Sequence, residues 1–441
     1  MCNKPKEILL EEFLHRINAS NNPCLICGNG LSINFEPQLT LQHLGNNLYK
    51  THLYILTYGD YRIINNSKLN DVYKPNFQNV KRYLKKNIRS NDELEKLLSG
   101  AISFAKNILS SQKTIDWLKE NGFISNLSMG FSTLDYITNL IYQADRYGVL
   151  GSNYEYWSLL VYFVLALNNA PAVLNSFSDE NEFAKVVLIG SEKTMGFSKK
   201  LGISYYSKVC ENGMYIYLRL LLSSNILLTG NGFHVEQMSI WNNFQKEKLR
   251  SFFSLFQNLI TTNYDLVIEK ICNRFVSHLH GFFSKQLQAS LYQTFGVYKK
   301  AIRYDLSTLI IGDYFVSKIF FAITASMSRK CFFNTHIDTC SDILRRIIKE
   351  GKTDTVVIFG LNIDNDYHIL RHLQIYLEAG GIESTNIIFC YYSQEDRKAF
   401  LQAYKSCITY SEELNNYAIN NISVYTLNSH LILNKYFVPN A

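Results

Sequence analysis

Residues 356–366 read Val356-Val357-Ile358-Phe359-Gly360-Leu361-Asn362-Ile363-Asp364-Asn365-Asp366: four apolar residues, a glycine, then short polar side chains. An uninterrupted apolar run of this length reads as a strand buried on both faces. The segment that follows, Asp366 to Glu378, has helical spacing, with Asp366 placed to cap it. The same alternation continues down the chain, with apolar runs at Ile387 to Tyr391 and Val424 to Thr426 and a helix at Glu395 to Tyr410 between them. Upstream it extends through Leu259-Ile260, the helix Leu266 to Arg274, Val276 to Leu279, Thr308 to Ile311 and the helix Thr339 to Glu350. Strand and helix in strict alternation imply an α/β protein with a Rossmann-like parallel sheet covered by helices on both faces.

The amino-terminal part contributes one more core strand, Cys24-Leu25-Ile26-Cys27, after an amphipathic helix over Lys6 to Ile17 and a turn at Ser20 to Pro23. Residues of roughly 75–222 are instead dominated by helical periodicity, at Asp92 to Ser110, Thr133 to Tyr147, Glu155 to Leu167 and Tyr205 to Leu222. The expected organisation is therefore a first part of the Rossmann core over 1–70, a mostly helical insertion over 71–222, and the remainder of the core over 223–441. With only 6 Pro and 22 Gly in 441 residues, no Pro- or Gly-rich linker marks these cuts.

Composition narrows the function classes. The chain is 47% hydrophobic and 18% charged, which is enough apolar material for a large core. Its net charge of +7 is mild for the length and is spread in short pairs such as Lys81-Arg82, so dedicated nucleic-acid binding is unsupported. The start, Met1-Cys2-Asn3-Lys4-Pro5-Lys6, lacks the apolar region of a signal peptide, and the apolar run Trp157 to Leu167 is about half the roughly 20 residues a membrane span needs. A cytoplasmic protein without membrane contact is expected. The nine cysteines are scattered. The one Cys-x-x-Cys pair, Cys24 and Cys27, lies in a strand whose alternation parts the thiols, and no second pair completes a zinc ribbon, so no metal is expected.

Four motifs sit where apolar strands end. Gly28-Asn29-Gly30-Leu31-Ser32 follows the first core strand directly; glycine there lets the backbone come close to a phosphate, although a plain strand-ending turn would look the same. Thr261-Thr262-Asn263-Tyr264-Asp265 leads into a helix that Asp265 can cap, which leaves Thr262 and Asn263 at the carboxyl end of a buried strand, where open α/β sheets bind ligands. His278-Leu279-His280-Gly281 places His280 17 residues after Asn263, with a glycine beside it that leaves room for a ligand. In the fourth motif Gly360 permits close approach, and Asn362 and Asp364 have short polar side chains suited to ribose hydroxyls.

The joint order Gly-x-Gly-x-Ser, Thr-Thr-Asn-Tyr-Asp, Leu-His-Gly and strand-Gly-x-Asn-x-x-x-Asp resembles the sirtuin-like NAD-binding superfamily, and is most similar to bacterial sirtuin-like effectors of anti-phage defence. The resemblance implies a phosphate loop at Gly28, Asn29, Gly30 and Ser32 and a catalytic histidine at His280. It makes Asn263 the residue that positions water and the nicotinamide ribose, with Thr262 and Asp265 at the cofactor and Gly360, Asn362 and Asp364 on its adenosine side. Three features depart from the family. Asn29 replaces the usual alanine, the zinc-ribbon cysteines after Leu-His-Gly are absent, and the loop and Asn263 lie much farther apart than in compact sirtuins. A second Gly-x-Gly, Gly230-Asn231-Gly232, competes for the phosphate-loop role but precedes Asn263 too closely to leave chain for the strand and small lobe expected between them.

By this resemblance the expected activity is NAD glycohydrolysis, giving nicotinamide and ADP-ribose or a cyclic form, by an NAD-depleting effector of abortive infection. NAD is then the substrate, and a homo-oligomer or a defence-system partner the expected control. Two alternatives stay open: a module that senses NAD or a related nucleotide without cleaving it, and an NAD-dependent protein deacetylase.

Overall fold

The computed structural model describes residues 5–35, 37–63, 67–121, 123–124, 126–127, 131–152, 156–168, 170, 180–192, 209, 211–226, 244–280, 293–299, 302–306 and 340–439. The chain forms two compact units, one of Met1–Thr40, Asn231–Phe282 and Asp338–Ala441, the other of Leu41–Gly230 and Phe283–Ile337.

The first unit is built on seven strands: β1 (Lys6–Glu7), β2 (Pro23–Cys27), β3 (Asn258–Thr261), β4 (Ser277–His278), β5 (Thr355–Phe359), β6 (Thr385–Tyr391) and β7 (Ile422–Asn428). Their order in the sheet is β1-β7-β6-β5-β2-β3-β4, and every pairing is parallel. From β2 at the centre the chain steps outward to β3 and β4 on one side, then crosses to β5, β6 and β7 on the other. Apart from β1 on the edge, this is the Rossmann strand order, with its switch point between β2 and β5.

Burial follows from that topology. All five residues of β2 and all five of β5 are buried, as central strands covered on both faces must be, whereas β7, nearer the edge, alternates in part. Leu25, Cys27, Val357, Phe359, Ile388, Cys390 and Leu427 share one face and pack with Phe13, Phe252, Phe253, Ile268, Ile432 and Phe437. On the opposite face Phe389 stacks on Phe400, ring centroids 4.2 Å apart. Cys24 and Cys27 accordingly point to opposite faces; both are fully buried, and burial pushes both thiols up.

One local expectation is corrected. The first helix starts at Leu10, because Lys6 and Glu7 add β1 to β7 and Ile8 N–H continues that ladder to Thr426 O. The exposed edge of β7 outweighs local helical periodicity there. Asp366 stands at the kink where a short helical turn meets the longer helix that follows it. The helical segment spans Ile363–Gly380, and Asp366 has non-helical angles, φ −110° and ψ 22°, while its N–H still donates to Asn362 O.

The second unit holds the helices Leu48–Tyr58, Ser67–Asn87, Asn91–Ser110, Gln112–Glu120, Thr133–Tyr147, Trp157–Leu167, Glu182–Ile189 and Gly213–Ser224. It also holds an antiparallel sheet of Asp60–Ile63, Gln293–Lys299 and Ile302–Leu306. Asp60–Ile63 pairs with Gln293–Lys299, so the second unit joins residues from both of its chain segments. Trp157–Leu167 is buried along almost its whole length, and among the described residues no helix is long and apolar enough to cross a membrane. The expected strand Thr308 to Ile311 and the competing Gly230-Asn231-Gly232 lie outside the described residues.

Candidate functional site

Four segments leave the carboxyl ends of β2, β3, β4 and β5 and carry the four motifs. Between β2 and β5 they meet backbone to backbone. Gly28 N–H donates to Phe359 O at 3.1 Å and Gly30 N–H to Gly360 O at 2.8 Å. A Cβ on Gly28 would lie 2.7 Å from Gly360 O, and one on Gly30 2.7 Å from Gly360 Cα. Gly360 itself has φ +65°, open to glycine at no steric cost. The glycines of the first and fourth motifs thus make a seam across the switch point, and two of the amides assigned to a phosphate are engaged in it. Asn29 braces the turn, its Nδ2 donating to Leu39 O at 2.9 Å.

Across the seam from β5, Thr262 N–H donates to Cys27 O at 3.0 Å, which carries the β2–β3 ladder one residue past the strands. Asn263 follows. Its Nδ2 donates to Ser32 Oγ at 2.7 Å and lies 3.4 Å from Gly28 O, so the plane of the amide is fixed against the Gly-x-Gly turn. Ser32 is fully buried and Asn263 nearly so. Asp265 is buried as well; its Oδ1 accepts from Val267 N–H at 3.0 Å at the start of the helix Val267–Cys272. Burial pushes this carboxyl up to about 6, against the pull of the Val267 N–H and of His278.

The histidines have distinct roles. Thr261 and His278 are partners in the β3–β4 pairing, and Asn263 and His280 each follow two residues farther on. His278 Nδ1 lies 2.7 Å from Asn263 O, and a carbonyl only accepts, so Nδ1 carries a proton. Its Nε2 is 2.5 Å from Glu269 Oε1, a charge-assisted contact that holds the ring in place. His278 therefore positions the Asn263 backbone. His280 Nε2 lies 3.3 Å from His368 Nε2 and 3.9 Å from Asp366 Oδ1.

Gly28, Gly30, Ser32, Thr262, Asn263, Asp265, His280 and Gly360 thus all belong to the rim at the carboxyl ends of the strands. Asn362 lies on the same loop with its side chain exposed; Asp364 is in the first turn of its helix, and its side chain lies outside the described residues. His278, Glu269 and His368 were not singled out as site residues. His278 stands inside the Leu-His-Gly motif, and His368 follows Asp366 at a spacing that a regular helix would send to different faces.

A separate cavity of about 590 Å³ opens at the opposite, amino end of the sheet, lined by Asn22, Asn258, Arg274 and Arg346 among others. Arg274 is committed there to Phe253 O and Gln257 O, bracing the turn before β3.

In comparisons with known proteins, no family model, no curated protein and no solved structure matches this chain.

Proposed function

We propose that this protein hydrolyses NAD at the bond between nicotinamide and ribose, as an NAD-depleting effector of bacterial anti-phage defence. The observation that carries the reading is the tie of the Asn263 amide, just after β3, to Ser32 of the Gly-x-Gly turn, with His280 leaving the neighbouring strand β4 two residues past His278. They stand beside the switch point of a Rossmann-ordered sheet, the place where such folds hold dinucleotides.

The scissile bond breaks with its electron pair passing to the nicotinamide ring nitrogen, which leaves neutral, while positive charge develops on the ribose as in glycoside hydrolysis. Asn263 orients the attacking water without adding charge, and His280 accepts the proton that water gives up as its oxygen bonds to the anomeric carbon. The Asp265 carboxyl, raised by burial, belongs to the same rim, and perturbed carboxyls of this kind collect at functional sites. Control of such an activity falls to the helical second unit, through oligomerisation or a partner protein.

Asn263→Ala is expected to lower nicotinamide release from NAD by about a hundredfold or more, a loss of roughly 3 kcal/mol of transition-state stabilisation, while far-UV circular dichroism stays unchanged. A folded Asn263→Ala protein that releases nicotinamide at the wild-type rate would remove the residue from the chemistry.

A further inference from the structure

We propose that His280, His368 and Asp366 form a binding site for a divalent transition-metal ion of the zinc class. One ligand atom from each of the three lies within 4.8 Å of the other two, and both imidazoles are buried. Two histidines and one carboxylate form a donor set that suits zinc and its neighbours, and three protein ligands leave a position for water or substrate.

The distances fit an ion better than they fit packing. Two nitrogens each about 2.0–2.1 Å from a tetrahedral ion are about 3.3–3.4 Å apart, and His280 Nε2 and His368 Nε2 are 3.3 Å apart. Asp366 Oδ1, at 3.9 Å from His280 Nε2, is somewhat wide. Its side chain is only partly buried and can close the difference by a small rotation.

The backbone supplies a second observation. In a regular helix, residues two apart do not share a face. Asp366 has non-helical angles at a kink within Ile363–Gly380, and its carboxylate and the His368 imidazole both come close to His280. His280 reaches the same point from the end of β4.

An ion on His280 Nε2 occupies the lone pair that would otherwise take a proton from water. Metal occupancy and proton transfer by His280 therefore exclude each other, and the ion acts as a brake; this consequence alone rests on the NAD-cleavage reading.

The test is titration of the full-length chain, freed of any polyhistidine tag and stripped by chelator, with Co²⁺, followed by the visible absorption of the bound ion and its displacement by Zn²⁺. One Co²⁺ per chain is expected, lost in His368→Ala and bound at least roughly tenfold more weakly by Asp366→Asn. No absorption in the wild-type protein, or absorption that a folded His368→Ala retains, overturns the site. Should His368→Ala fail to fold by circular dichroism, unchanged affinity in Asp366→Asn overturns it equally. Because the readout uses no NAD, metal binding by a protein whose chelator-stripped form releases no nicotinamide would count against the NADase reading alone, and release without metal binding against the metal site alone.

Discussion

Asp265 illustrates what burial does to one residue. Its ordinary value is 3.8 and its folded value about 6, so the folded protein holds the proton more tightly than the unfolded chain does. The stability this provides is complete below pH 3.8 and is lost as pH rises through 6, a difference on the order of 3 kcal/mol at neutral pH. Asparagine at this position keeps an oxygen for Val267 N–H and cannot ionise. Asp265→Asn is therefore expected to melt at a higher temperature than wild type at pH 8, with the gap closing toward pH 4. Thermal unfolding across that range checks it, and a gap of equal size at both ends would contradict it. The residues of the site were unevenly legible in the sequence. Asn263, Asp265 and His280 were readable because each stands at a strand exit in a polar run. His368 was hidden because its partnership with Asp366 depends on a backbone break that periodicity does not encode.

At the scale of elements, the seam between the turn after β2 and the loop after β5 carries the site's geometry. A Cβ at Gly360 would strike the Leu31 amide and the Gly30 backbone, and φ +65° adds strain for any L-residue. Gly381, also at positive φ, has nothing within 4 Å of its hypothetical Cβ. Gly381→Ala should therefore cost about 1 kcal/mol, the left-handed penalty alone, while Gly360→Ala should cost about 3 kcal/mol or more and carry nicotinamide release down with it. Urea midpoints measured side by side decide this; equal shifts would mean that the seam is not a close contact. Elements with strong periodicity were legible: Thr133–Tyr147 has the bounds its spacing implies, and the buried runs of β2, β5 and β6 declared themselves as strands. The edge strand β1 was not legible, because two residues make no pattern and only the free edge of β7 selects that conformation.

At the scale of the whole molecule, alternation of strand and helix after residue 257 was sufficient to imply a parallel α/β sheet, and the Rossmann order follows once β2 is known to sit between β3 and β5. The limits of the two units were less legible. Asp60–Ile63 finds its partner at Gln293–Lys299, a pairing across more than two hundred residues that no local signal announces. The long separation between the Gly-x-Gly turn and Asn263 in the chain is occupied by most of the second unit. The register of β2 beside β3, with Cys27 opposite Thr261, then brings the two motifs to one edge. The proposed function has this edge cleave NAD. To test it, the full-length protein is incubated with NAD and the products are separated by chromatography, beside His280→Ala. Nicotinamide and ADP-ribose, or its cyclic form, are expected from the wild type and intact NAD from the variant. Equal release by both proteins, or NAD recovered bound and intact from the wild type, would contradict it.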